Sequence, residues 1–172
     1  MHLVLDAHAG RAVHQVVSMM KRPVVVLGLG NPLMADEGIG VHLIEKLTAR
    51  AEQVPDVDFV DAGTGGMAVL HLIDGRRKAV IVDCAFMDEP VGTIRRFTPD
   101  QVRSRKVLAH QSLHEADLLG VLSLAEQLGQ CPEEVVLFGI QPEVVEAREG
   151  LSPALAENVD RYVSEILNEL AE

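Results

Sequence analysis

Pro23-Val24-Val25-Val26-Leu27-Gly28-Leu29-Gly30-Asn31-Pro32-Leu33-Met34-Ala35-Asp36-Glu37-Gly38-Ile39-Gly40 is the stretch that decides the fold. Its apolar opening has the length of a strand, Gly-Leu-Gly-Asn-Pro is too irregular to continue that strand, and a helical pattern begins directly after Gly38. Strand, loop and helix in this order open an α/β unit. Sheets of that kind present their ligand crevice at the carboxyl ends of the strands, and here the loop places the adjacent acids Asp36 and Glu37 at such an end. Two acids in that position suggest chemistry.

Working outward, Ile39, Leu43, Ile44 and Leu47 form an apolar stripe at helical spacing, in a helix expected to reach about Gln53. Residues 57–61 read as a short strand, Ala62-Gly63-Thr64-Gly65-Gly66 as a turn, and 67–73 as a brief helix stopped at Asp74-Gly75. Residues 78–83 are a nearly continuous apolar run ending in Asp83, the pattern of a central parallel strand buried on both faces. Residues 92–97 alternate weakly and read as an edge strand, while the polar, basic stretch 98–111 reads as loop. Ser112-Leu113-His114-Glu115 has capping-box spacing, with Ser112 as N-cap of a helix that turns Leu118, Leu119, Leu122, Ala125 and Leu128 inward and stops at Gly129. Residues 135–140 form a further buried strand. Ser152 and Pro153 start a single last helix, with core positions Leu155, Val159, Val163, Ile166, Leu167 and Leu170. With right-handed crossovers, this alternation predicts a three-layer α/β/α sandwich around a mainly parallel five-stranded sheet.

The 172 residues suit one domain, expected over 23–172, preceded by a leader or extra helix over 1–22 whose Val13, Val16, Val17 and Met20 share one helical face. The balance of 15 Lys plus Arg against 26 Asp plus Glu, without a basic block, disfavours nucleic acid and anionic membranes as partners. Cys84 and Cys131 match no metal or redox spacing and read as reduced thiols of a cytoplasmic protein. No run approaches membrane-spanning length, and the short run Leu3-Val4-Leu5, followed by Asp6, is too brief and too acidic for a secretory signal.

Glu37, Asp83 and His114 emerge as three candidate ligands at strand ends and a helix start. Two carboxylates and an imidazole suit a borderline divalent metal such as nickel, zinc, iron or manganese. At a helix N-terminus the dipole disfavours imidazolium, which keeps His114 able to ligate. Each residue also has a plainer reading: Glu37 as a helix-dipole acid, Asp83 as a loop cap, His114 as a surface residue in a capped turn. Asp36 reads as a turn or supporting residue, and His110 as the competing histidine. Cys84, one residue past Asp83 in an extended strand, points to the opposite face. Gly28-Leu29-Gly30 after a strand suggests a dinucleotide site, but Leu33 occupies the place of the third glycine and the acidic pair would repel a pyrophosphate. No nucleotide cofactor is expected. Leu-Gly-Asn-Pro is also similar to a turn of peptidyl-tRNA hydrolases, against which the acidic surface argues.

Taken together, Gly28-Leu29-Gly30-Asn31-Pro32-Leu33 with Asp36-Glu37-Gly38-Ile39-Gly40, Asp61 to Met67, Val82-Asp83, Ser112-Leu113-His114, Phe138 to Glu143 and Gly150 to Pro153 resemble the hydrogenase maturation endopeptidases over about residues 23–170. That family removes a C-terminal extension from the large-subunit precursor of nickel-iron hydrogenases. The resemblance implies that Glu37, Asp83 and His114 engage nickel already inserted into the substrate, so that the metal reports readiness for cleavage. A monomer is expected, with Asn31, Asp36, Gly63, Thr64, Gly65 and Gly66 as supporting residues or a substrate loop; the glycine-rich turn also has the plainer reading of a tight turn. A metal held by three protein ligands can polarise the scissile carbonyl or a water, whereas a free carboxylate, as in an aspartyl protease, can act as base; both mechanisms stay open. The alternative to an enzyme is a non-cleaving chaperone of the same fold that binds nickel or the precursor.

Overall fold

The computed structural model describes residues 21–105 and 113–171. Residues 1–20, His110 and Ser112 lie outside the described residues, and so do the expectations attached to them. The chain runs β1 (Val24–Gly28), a 3₁₀ turn (Ala35–Gly38), α1 (Ile39–Thr48), β2 (Val57–Asp61), α2 (Ala68–Ile73), β3 (Lys78–Cys84), β4 (Ile94–Phe97), α3 (Pro99–Arg105), α4 (Leu113–Leu128), β5 (Glu134–Ile140), α5 (Pro153–Ala156) and α6 (Val159–Ala171).

The five strands form one sheet in the order β2-β1-β3-β5-β4, parallel except for the antiparallel edge strand β4. This is the expected three-layer sandwich. β1 and β3 are buried along their whole length because both faces are covered. Val24, Val26, Val80 and Val82 face α1 and α6 through Ile39, Leu43, Leu47, Val163 and Ile166. Val25, Leu27, Ala79 and Ile81 face α2 and α4 through Val69, Ile73, Leu118 and Leu122. At the amino end of the sheet Lys78 Nζ donates to Glu169 Oε1 at 2.7 Å and lies 3.2 Å from Glu134, while Arg96 Nε donates to Glu169 Oε2 at 2.6 Å. This ion cluster fastens α6 to β3, β4 and β5.

Four local expectations need correction. Residues 98–111 are not wholly loop, since α3 occupies Pro99–Arg105. Its start is a reciprocal capping box, in which the Thr98 amide donates to Gln101 Oε1 at 2.8 Å and the Gln101 amide to Thr98 Oγ1 at 3.4 Å, with Pro99 at the first helical position. The last helix is two helices, α5 ending at Ala156 and α6 beginning at Val159, although Ser152 caps the first as expected by accepting from the Leu155 amide. Leu128 is 56% exposed, because it lies at the last turn of α4 beyond the reach of the core. The helix after β1 also stops early, at Thr48, with a separate 3₁₀ turn over Ala51–Gln53. Among the described residues no helix is long and apolar enough to cross a membrane. Cys84 and Cys131 are free thiols, and burial together with Glu126 pushes the Cys131 thiol up.

Candidate active site

β1 leads through α1 to β2 on one side of it, and β3 then returns to pair with β1 on the other. The winding therefore reverses between β1 and β3, and open α/β sheets form their crevice at that switch point. Glu37 and Asp83 belong to the two segments that flank it. Register brings Gly28 opposite Val82, and beyond the strand end the Leu29 amide still donates to Val82 O at 2.8 Å.

The first loop reaches this seam through backbone contact. The 3₁₀ turn holding Glu37 packs on β3. A Cβ at Gly40 would strike the carbonyl oxygens of Leu29 and Val82, and one at Gly30 would strike that of Glu37. Glycine at these two positions lets the turn and the start of α1 settle on the β1 and β3 ends. Asn31 Oδ1 accepts from the Leu33 amide at 3.0 Å, which gives Asn31 a loop-shaping role.

Asp36 is fully buried, and its carboxylate accepts three backbone N–H groups: Ser152 at 2.7 Å on Oδ1, Glu143 at 2.9 Å and Val144 at 3.1 Å on Oδ2. It ties the first loop to the segment after β5, as do bonds from the Ala35 amide to Arg148 O and from the Arg148 amide to Leu33 O. Ala35 is held at φ 51°, a left-handed conformation that this bonding overrides. Its neighbour Glu37 is half-buried, accessible to solvent.

Asp83 is 7% exposed at the carboxyl end of β3, where its Oδ1 accepts from the Cys84 amide at 2.8 Å. Cys84 packs in the α1 and α6 layer, so strand alternation directs Asp83 to the α2 and α4 side. α4 immediately precedes the parallel strand β5 and runs back along the sheet, which brings its N-terminus, and position 114, to the same carboxyl end. The His114 side chain lies outside the described residues. Among the described residues no three His, Cys, Asp or Glu side chains group to hold a metal. The structure thus places Glu37 and Asp83 on the two segments that flank the switch point and position 114 at the same end of the fold.

The glycine-rich turn joins this end from β2. The Ala62 amide donates to Gly28 O at 3.0 Å and the Gly30 amide to Gly63 O at 2.7 Å, while Asp61 Oδ1 caps the turn from below through the Gly63 amide. Gly63, Gly65 and Gly66 are all left-handed, and Thr64 between them is exposed. Sequence reasoning placed Gln141 within the Phe138 to Glu143 motif but gave it no role; it is 8% exposed at the end of β5, and its Oε1 accepts from the Met87 amide at 2.7 Å. That bond spans 54 residues, so no local pattern announces it.

The fold and the acids at its switch point define an α/β protein with a candidate site at its sheet's carboxyl end, and comparison with known proteins specifies its family. Residues 41–169 match the model of the hydrogenase maturation protease family. The chain is 40% identical over 123 residues to the hydrogenase expression/formation protein HoxM of Cupriavidus necator, covering 72% of this chain and 61% of that protein. It is 30% identical over 149 residues to the hydrogenase 2 maturation protease of Escherichia coli, covering 87% and 91%. The structure of the hydrogenase maturating endopeptidase HybD from E. coli superposes with a TM-score of 0.75 at 30% identity, over 88% of this chain and 93% of that one. The chain belongs to the hydrogenase maturation protease family.

Proposed function

We propose that this protein is the endopeptidase that removes the C-terminal extension of a nickel-iron hydrogenase large-subunit precursor after nickel insertion, acting as a cytoplasmic monomer. The observation that supports this most is the placement of Glu37 and Asp83 on the two segments flanking the switch point, in a chain of the maturation protease family. Nickel in this reading belongs to the substrate. Glu37, Asp83 and His114 are the residues that engage it, and two carboxylates with an imidazole are donors a borderline divalent ion accepts. When bound, the ion supplies Lewis acidity at the scissile carbonyl.

The chain's own residues then have separable tasks. Asp83 is oriented through Oδ1 by the Cys84 amide, so its carboxyl group is preset before substrate arrives. Glu37, half-buried on a turn held by Asp36, meets the nickel-loaded precursor from the solvent side, and whichever carboxylate of the site is not ligating the ion can take a proton from an attacking water. The Gly63 to Gly66 turn gives the substrate strand room for close approach. Incubation of the purified protein with nickel-loaded precursor tests the proposal: the large subunit is expected to shift to its mature mass. Stable binding without a mass change would instead indicate a maturation chaperone.

A further inference from the structure

Gly139 is the penultimate residue of β5 and the register partner of Asp83 on β3. Partners on neighbouring parallel strands turn their side chains to the same face, about 4.8 Å apart. The space a side chain of Gly139 would occupy is therefore the flank of Asp83. That space is filled from the loop that follows β3. A Cβ on Gly139 would lie 3.0 Å from Met87 Sδ, 3.1 Å from Ala85 Cβ and 3.4 Å from the ring of Phe97. A glycine inside a strand marks such a close approach, and here a thioether four residues beyond Asp83 stands in for the missing side chain. Adding the two spacings puts Met87 Sδ within about 8 Å of Asp83 Cβ.

Both ends of Met87 are held by β5 and its continuation. Sδ sits over Gly139, while the amide donates to Oε1 of the buried Gln141 at 2.7 Å. On either side of Met87 the backbone is tied as well, the Ala85 amide to Ile140 O and the Gly92 amide to Gln141 O, both at 2.9 Å. The loop is thus folded back over the end of β5, and an unbranched thioether suits the irregular gap it meets there. Met87, Ala85 and Phe97 are all apolar, so they offer the Asp83 carboxylate no competing hydrogen bond. Its Oδ1 is already oriented by the Cys84 amide at 2.8 Å.

We propose that Met87 is a positioning residue of the site: seated by Gly139 and Gln141, it forms the apolar wall that keeps the Asp83 carboxylate turned toward the crevice. Its kinetic consequence rests on the endopeptidase reading above, whereas its placement rests on the sheet register alone. Two measurements test it. In protein carrying 13C-methyl methionine, Asp83→Asn is expected to move the Met87 methyl resonance, assigned by its absence in Met87→Leu, more than that of Met67. With nickel-loaded precursor, Met87→Ala is expected to lower kcat about 10-fold, as a small misplacement of a reacting group does, with KM changed by less than about twofold and the thermal transition within a few degrees of wild type. Met87→Leu, which keeps the bulk, is expected to recover most of that loss. Gly139→Ala is expected to lower kcat in the same direction and to add less in the Met87→Ala background than it costs alone, because both changes disturb one seat. If Gly139→Ala does not fold, Gln141→Met takes its place with the same expected pattern. A Met87 methyl that ignores Asp83→Asn, wild-type kcat in Met87→Ala, a loss confined to KM or to the thermal transition, or effects that multiply would each overturn the inference. Wild-type protein that leaves the precursor uncut overturns the endopeptidase reading, with the methyl spectrum still deciding the placement; cleavage by wild type with full kcat in Met87→Ala overturns this inference alone.

Discussion

The amide of Ser152 donates to the carboxylate of Asp36 at 2.7 Å across 116 residues of sequence. Asp36 thereby satisfies the first amide ahead of α5 and, with Glu143 and Val144, the segment that follows β5. Asp36→Ala leaves three N–H groups without this acceptor, each costing about 1 to 3 kcal/mol when buried. Urea unfolding is expected to show a loss of about 3 to 5 kcal/mol, with Asp36→Asn falling between. An unchanged midpoint in Asp36→Ala would remove Asp36 from its supporting role.

Glu37→Gln, Asp83→Asn and His114→Ala are each expected to abolish processing of the nickel-loaded precursor while leaving the thermal transition within a few degrees of wild type; His110→Ala is expected to be milder. Mass spectrometry of the large subunit and circular dichroism check the two halves. Full processing by His114→Ala would shift the third ligand to another residue.

The glycines divide into two kinds. Gly40→Ala drives a methyl group into the carbonyl oxygens of Leu29 and Val82, and is expected to cost about 3 kcal/mol or more together with activity. Gly63→Ala meets open space, so only its φ of 54° opposes the substitution, at about 1 kcal/mol. A fall in processing much larger than that stability change would mark the turn as a substrate contact, and a proportionate one as a tight turn alone.

Acid is expected to release α6. Hydrogen bonds from Arg96, opposed by burial and aided by Lys78, hold the Glu169 carboxyl below its usual value of 4.5. A carboxyl depressed in the folded state contributes stability that is present above its unfolded pKa and lost as pH falls through the folded one. Stability measured from pH 5 downward is therefore expected to decline in wild type and to decline less in Glu169→Gln. At neutral pH Glu169→Ala is expected to cost about 3 kcal/mol, since it strips Lys78 of its buried partner. An acid limb identical in the two proteins would refute this account.

Much of the fold was legible because the sheet's hydrophobic runs are unambiguous: residues 78–83 predict a doubly covered strand, and β3 is buried from Lys78 to Cys84. The break between α5 and α6 was not, because the apolar stripe from Leu155 to Leu170 keeps helical spacing through it. α3 was hidden by its polar composition, although Thr98-Pro99-Asp100-Gln101 contains both its cap and its N1 proline. At the site, strand-end position identified Glu37 and Asp83 as candidates. Asp36 already read as a supporting residue beside Glu37, but the amides it supports lie more than a hundred residues away, in no window of sequence.

The same long-range tether gives the site a place in time. A chain growing from its N-terminus exposes Asp36, Glu37 and Asp83 well before Ser152 has been synthesised. Until then the Asp36 carboxylate lacks the amide that closes the loop, and closure waits for contacts of high sequence separation. The acids are thus present early in biosynthesis, while the loop bearing Asp36 and Glu37 acquires its last tie only once Ser152 is in place.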